Sequence, residues 1–265
     1  DWYVCADARA DGTPPNNWLS IFGGSAWHWD TQRCQYYLHN FLTAQPDLNF
    51  HQPQVRAAAL DVARFWLARG IDGFRLDVVN FYHHDPELRS NPPQPLGRFA
   101  AAVPPSNPYA FQRHLYDKTR PENLAFLHAL RTLMDTVPGT TTIGEIGDDE
   151  QYRTLGEYTS EGRLHMAYTF NLMGHDCTPR FIHGVLDEFL RETTHAWACW
   201  ALSNHDVVRV ATRWRALGEP EQLAPQLTAF IGSLRGSICL YQGEELGLTE
   251  ADIGFDDLQD PYGKE

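Results

Sequence analysis

From about residue 54 onward, short apolar strands alternate with helices, and this alternation limits the fold more than any other feature of the chain. Pro53 suits a first helical position, and Val55, Ala59, Val62 and Trp66 recur at helical spacing until Gly70, so a helix is predicted over 54–69. The strand Ile71–Asp77 follows at once. A second helix, 121–137, begins at Pro121, lines Leu124, Leu127, Leu130 and Met134 along one face, and ends at Pro138-Gly139. Strands 141–145 and 165–171, helix 181–193, strand 197–203, helix 221–234 and strand 236–241 complete the series. Strands separated by helices run parallel, so the chain is predicted to be α/β. Residues 80–118 form a long connection with prolines at 86, 92, 93, 95, 104, 105 and 108, and so long a connection in a compact domain is usually functional. Residues 1–50 lack sustained periodicity and carry turn signals at Asp11-Gly12, Pro14-Pro15 and Gly23-Gly24, which predicts an irregular, loop-rich lobe.

A length of 265 residues matches a closed (β/α)8 TIM barrel, which takes about 250. The element count does not match, because only five strands follow the first lobe. With 43% hydrophobic and 12% aromatic residues the chain should fold. A net charge of −13 disfavours nucleic acid as a partner and suits a neutral ligand. No run approaches the ~20 apolar residues of a membrane span, and Asp1-Trp2-Tyr3-Val4 does not open a signal peptide. Cys5, Cys34, Cys177, Cys199 and Cys239 are widely spaced and never form a C-x-x-C pair, which disfavours zinc and a disulfide framework. Reduced thiols in a cytoplasmic protein are the expectation.

The informative pattern is where the acids stand. Asp77 closes the first strand after the lobe, Glu145 closes the next, and His205-Asp206 follows the fourth. Ligands of α/β folds sit at the carboxyl ends of the strands, so acids at three such ends can serve one pocket. Arg75 and Asp77 share a strand face, which keeps Asp77 ionised and suits it as a nucleophile or fixed negative charge. Glu145, in Thr142-Ile143-Gly144-Glu145-Ile146, has an apolar setting that would hold a proton for donation. Retaining glycoside hydrolysis needs this pair, one carboxylate as nucleophile and one carboxyl as acid.

At these residues the chain resembles the α-amylase family of glycoside hydrolases (family 13), in its α-glucosidase and oligo-1,6-glucosidase branch. Gly73-Phe74-Arg75-Leu76-Asp77 resembles the nucleophile strand, Gly144-Glu145-Ile146 the acid/base strand, and Ser203-Asn204-His205-Asp206 the segment of the transition-state stabiliser. Gln45-Pro46-Asp47-Leu48-Asn49, Tyr36-Tyr37-Leu38-His39-Asn40-Phe41 and the stretch from Asn17-Trp18 to Trp27 are similar to the family's inserted small domain. Lys118-Thr119-Arg120-Pro121-Glu122-Asn123 is similar to the segment after the nucleophile strand. The resemblance implies that Asp77 attacks the anomeric carbon, Glu145 protonates the leaving oxygen, and Asp206 stabilises the cationic sugar. It implies that Arg75 and His205 hold Asp77 and the glucose hydroxyls, that Phe22 and Phe41 wall the glucose subsite, and that Val78 favours α-1,6 over α-1,4 linkages. For Phe22 and Phe41, core packing is the equal alternative.

The resemblance also implies a division: 1–50 as part of the small domain inserted after the third barrel strand, and 51–265 as barrel strands four to eight. The family's strands one to three, its C-terminal β-domain and its usual structural divalent-ion site then fall outside these residues, and no cofactor is assigned. An open half-barrel exposes strand edges, so the chain expressed alone is expected to aggregate and to leave p-nitrophenyl α-glucoside uncleaved. A small oligosaccharide is the expected partner. The competing readings are a non-catalytic family relative and a metal-dependent barrel enzyme, the latter disfavoured by Arg75 beside Asp77. His83-His84-Asp85 reads as a loop hydrogen-bonding cluster rather than a metal site, and Gly243-Glu244-Glu245-Leu246-Gly247 as a segment whose acids orient loops.

Overall fold

The structure, a computed structural model, describes residues 2–97, 103–193 and 195–260. Residues 261–265, where the sequence predicts the chain leaving its last strand, lie outside the described residues, as do 98–102 of the proline-rich connection. The chain divides into two compact units, Asp1–Thr141 with Gly147–Asp149, and Thr142–Ile146 with Glu150–Glu265.

The first lobe is more regular than the sequence predicts. Strands β1 (Cys5–Ala6), β2 (Trp27–Asp30) and β3 (Gln35–Leu38) form an antiparallel sheet in the order β1-β3-β2, with Trp27 opposite Leu38 and Cys5 opposite Tyr37. Strands of two to four residues are too short to show a period of two, which is why sequence reading leaves them as loop. The sheet closes over a small core of Val4, Trp18, Ala26, Trp27 and Leu38. The two indole rings stack at 5.8 Å, and each buried N–H is satisfied: Trp27 donates to Asn16 Oδ1 (2.8 Å) and Trp18 to the Arg89 carbonyl (2.9 Å).

Helix α1 (Pro53–Leu67) and strand β4 (Gly73–Leu76) come next, as the sequence predicts, and Gly70 turns the chain between them at φ +84°. The buried stripe of α1 is Val55, Ala63 and Leu67, whereas Val62 and Trp66 are exposed. The sequence carries two apolar stripes, and periodicity cannot choose between them. Gly73 is required by close approach, because a Cβ there would lie 2.2 Å from the Thr141 carbonyl oxygen. The proline-rich connection is held by its own bonds. Gln94 N donates to the Phe111 carbonyl (2.7 Å), Arg113 N to that of Pro92 (2.9 Å), and the Asn91 carboxamide accepts from Leu115 N and Tyr116 N. Helix α2 (Asn123–Met134) buries Leu127, Leu130 and Met134 on the predicted face, with Phe126 beside them.

The second unit has the predicted alternation. Strand β5 (Thr141–Ile146) pairs in parallel with β6 (Met166–Thr169), and β7 (Cys199–Trp200) with β8 (Ser237–Ile238). A parallel bridge from Ala167 to Ala198 joins the two pairs into one consecutive series. Four parallel strands cannot close a barrel, which takes eight. Helix α3 (Gln151–Tyr158), which the sequence reading missed, stands between β5 and β6, α4 (Pro179–Glu192) between β6 and β7, and α5 (Val210–Arg213) and α6 (Pro220–Gly232) between β7 and β8. Phe189 of α4 meets Tyr152 of α3 and Trp200 of β7 edge-on, with ring centroids 5.6 and 5.0 Å away. Among the described residues no helix is long and apolar enough to cross a membrane.

Candidate active site

In the first unit, Asp77 is the residue directly after β4. Arg75 and Asp77 share a face, as predicted, and Arg75 Nη1 donates to Asp77 Oδ1. The carboxylate is 69% exposed, so solvent screens the pair and its worth lies in orientation more than in stability. Val78 stands at φ +37°, a left-handed conformation unfavourable for a β-branched residue by about 1–3 kcal/mol. The next three residues explain how the turn persists. Val79, Asn80 and Phe81 form a buried 3₁₀ turn. Asn80 Nδ2 donates to Thr119 Oγ1 (2.9 Å) and to the Gly147 carbonyl (3.0 Å), and Asn80 Oδ1 accepts from Gly147 N. Asn123 Nδ2 donates to the Val79 carbonyl (2.7 Å), and the fully buried Lys118 donates to the Gly147 carbonyl (2.9 Å). The segment Lys118–Asn123, noticed in the sequence only as a family likeness, is thus the brace behind the Asp77 turn.

Phe22 and Phe41 meet edge-on at 6.0 Å, and Phe41 contacts Phe81 at 5.4 Å. The half-buried Phe22 and Phe41 thus form an aromatic row with the buried Phe81, which lies four residues beyond Asp77. The segments that carry Asn40 and Asp47 also bond to each other. Asn40 gives both its backbone N–H (2.7 Å) and its Nδ2 (3.1 Å) to Asp47 Oδ2. Burial nonetheless pushes the Asp47 carboxyl up to about 7. The His83-His84-Asp85 cluster behaves as loop chemistry. His83 Nδ1 donates to Asn123 Oδ1 (3.3 Å), and Arg89 grips Asp85 through Nε (2.9 Å) and Nη2 (2.7 Å). Burial, with His51 nearby, lowers His83 to about 4 and His84 to about 3.

In the second unit, Glu145 is buried at 3% exposure near the end of β5. Its setting is less apolar than the sequence implies. The paired residue across the parallel ladder is Tyr168, and the phenol donates to Glu145 Oε2. Tyr168 packs with Met173, Cys199 and Ala201, and Val207 lies against this cluster. Val207 adjoins Asp206 and Ile143 of β5 packs on the same cluster, which therefore brings β5 and the loop that carries Asp206 together within this unit. Asn204 brackets Asp206: its Nδ2 donates to Oδ2 and its Oδ1 accepts from Asp206 N, both at 2.9 Å. His205 Nε2 lies 3.3 Å from Asp206 Oδ1, with both side chains about half exposed.

Sequence reasoning missed Arg213. It is a deeply placed cation that donates to the carbonyls of Leu202, Val208 and Gly174 (the last at 2.9 Å), tying the end of β7 to the loop that carries Asp206. Burial lowers its pKa to about 10, partly offset by Glu244. Glu244 is buried and pushed up to about 7 by that burial, while Glu245 Oε2 accepts from Gly243 N (3.1 Å). Glu245 thus holds its own loop, as the sequence suggests. Among the described residues, no group of three or more His, Cys, Asp or Glu side chains could hold a metal ion.

Parallel strands with acids at their ends define an α/β catalytic domain, and the family model for the alpha amylase, catalytic domain, matches residues 1–263. The chain belongs to the α-amylase family. A probable alpha-glucosidase of Rhizobium meliloti (strain 1021) is 56% identical over 99% of this chain and 49% of its own length. An oligo-1,6-glucosidase of Heyndrickxia coagulans is 31% identical over 98% of this chain and 48% of its own. Among solved structures, the alpha-glucosyl transfer enzyme XgtA superposes with a TM-score of 0.96 at 54% identity, covering 100% of this chain and 50% of that one. The trehalulose synthase MutB, a variant of which is solved in complex with glucose, superposes at 0.81 with 28% identity, covering 98% of this chain and 47% of that one. The chain spans about half the length of the curated relatives it matches.

Proposed function

We propose that this chain carries the reacting carboxyl groups of a retaining α-glucosidase that releases glucose from the non-reducing end of short α-1,4 or α-1,6 glucosides. Asp77 bonds to the anomeric carbon as the C1–O bond breaks, and Glu145 gives its proton to the departing oxygen. Glu145 then takes a proton from water, whose oxygen displaces Asp77 and releases glucose. Asp206, held by Asn204, faces the positive charge that develops on the sugar ring. Arg75 orients Asp77, and His205 binds glucose hydroxyls beside Asp206. Phe22 and Phe41 offer apolar faces to the sugar.

The observation that supports this reading most is the contrast between the acids themselves. Asp77 is wet and paired with a guanidinium, which suits a nucleophile, whereas Glu145 is buried, which suits a proton donor. The test uses the complete protein that carries this chain. Asp77→Asn should lower kcat on p-nitrophenyl α-glucoside by about 10⁴-fold or more. A 5-fluoroglucosyl fluoride should leave a covalent adduct on the peptide containing Asp77. An adduct on another residue, or retained turnover in Asp77→Asn, would sink the reading.

The likeness to an alpha-glucosyl transfer enzyme favours a second outcome of the same chemistry, in which a sugar hydroxyl replaces water in the second step. Chromatography of products at high maltose separates the two, because transfer yields one trisaccharide for each glucose released, whereas hydrolysis yields two glucose per maltose and no trisaccharide. Val78→Thr, assayed on isomaltose and maltose, tests the linkage preference; an unchanged ratio removes Val78 as a determinant.

A further inference from the structure

We infer that Tyr168 is a positioning residue for Glu145, its phenol holding Oε2 so that the proton exchanged with the sugar is carried on Oε1. The inference rests on the reading of Glu145 as the acid/base. Glu145 and Tyr168 are directly paired across the parallel β5–β6 ladder, so their side chains leave the sheet on the same face. Both are buried, at 3% and 5% exposure, and Tyr168 packs in one core cluster with Met173, Cys199 and Ala201. The phenol therefore cannot swing away without opening that cluster. A hydroxyl that donates to Oε2 leaves that oxygen as an acceptor, and a carboxyl with one oxygen so engaged carries its proton on the other. When Glu145 ionises, the same hydrogen bond becomes charge-assisted and strengthens. Tyr168 thus favours the ionised form, against the burial that disfavours it, and brings the proton affinity of a buried carboxyl back toward neutrality. The other ionisable groups on elements packed beside β5 in this unit are Cys199 in the Tyr168 cluster, His165 against Thr142 at the start of β5, and His205 and Asp206 on the loop after β7.

The experiment is the pH dependence of kcat/KM for the complete protein that carries this chain, comparing wild type with Tyr168→Phe. Loss of the hydroxyl should raise the alkaline limb, where the acid loses its proton, by about 0.5–1 pH unit and leave the acidic limb in place. Substrates with poor leaving groups should slow more than p-nitrophenyl α-glucoside. A purely structural role would lower all rates together without moving the limb. Glu145→Ala with added azide separates the two levels of the argument. If azide rescues turnover as glucosyl azide and the Tyr168→Phe limb stays put, the positioning role is overturned while the acid/base reading stands. If azide fails to rescue, Glu145 is not the acid/base and the inference falls with that reading. Should Tyr168→Phe not fold, wild type labelled with 3-fluorotyrosine decides. One ¹⁹F resonance should titrate with Glu145 and lose that titration in Glu145→Gln; if no resonance does so, the inference is overturned.

Discussion

The turn after β4 and the end of β5 present an acid in opposite ways. Asp77 is exposed, on a turn with a left-handed Val78, and its rigidity comes from residues behind it that never face the ligand: Asn80, Lys118 and Asn123. Glu145 is buried within a strand, and a neighbouring side chain, Tyr168, holds the carboxyl itself. The proposed nucleophile is left in water beside a cation, and only its backbone is fixed. The proposed proton donor is taken out of water, and its desolvated oxygen meets a partner inside the protein.

The contrast can be broken first from behind Asp77. Asn80→Ala removes three hydrogen bonds from a fully buried side chain, with the Gly147 N–H left without its acceptor, and should destabilise the first unit by about 2–4 kcal/mol in urea unfolding. A loss under 1 kcal/mol would mean that the turn is held elsewhere.

The two units should also respond oppositely to pH. His83 and His84 have lowered folded pKa values, about 4 and 3, so the unfolded chain binds more protons below its own pKa of about 6.5 and the first unit loses stability as pH falls from there. Glu244 has a raised folded pKa, about 7, so the folded chain binds more protons; its contribution is fully present below the unfolded pKa of about 4.5 and is lost as pH rises through about 7. Each effect is on the order of 2–3 kcal/mol. Asp47 in the first unit, also raised to about 7 by burial, acts in the same direction as Glu244 and offsets part of the histidine effect there. Amide hydrogen exchange between pH 5 and 8 should show protection rising with pH in the first unit and falling in the second, and Glu244→Gln should flatten the second. Parallel profiles would remove the distinction.

A smaller effect is expected at Arg213. Arg213→Met strips the donor from four carbonyls, those of Leu172, Gly174, Leu202 and Val208, but it also relieves a desolvated cation, so the net loss should be about 1–2 kcal/mol. The accompanying sign is a raised KM, because the Asp206 loop loosens. The smallest effect is at Val78. Glycine accepts the left-handed φ that valine resists, and Val78→Gly should raise the thermal midpoint by the equivalent of up to about 1 kcal/mol, partly offset by lost packing and added chain entropy. A lowered midpoint would show that the turn is not strained.

Much of this was legible in the chain. The five strands after the first lobe and four of the helices show their periods, and the acids sit at strand ends because a strand's length and its closing residue are local properties. Helix α3 escaped because Gln151–Tyr158 is only eight residues long and offers just Tyr152, Leu155 and Tyr158 as apolar positions around Gly156, although five of its residues are buried. The three-stranded sheet escaped because its strands are short and its core is two tryptophans whose partners, Asn16 and the Arg89 carbonyl, are set by long-range folding.

The sequence by itself determined the alternation of strand and helix, the placement of Arg75 two residues before Asp77 on one strand face, and the family, because each depends on residues near one another in the chain. Only the tertiary structure decided which oxygen of Glu145 meets a phenol, which half-buried cation fastens the Asp206 loop and which stripe of α1 faces inward. Those outcomes depend on β-ladder register and on desolvation. Both arise only when segments distant in the chain are packed together and water is removed from between them.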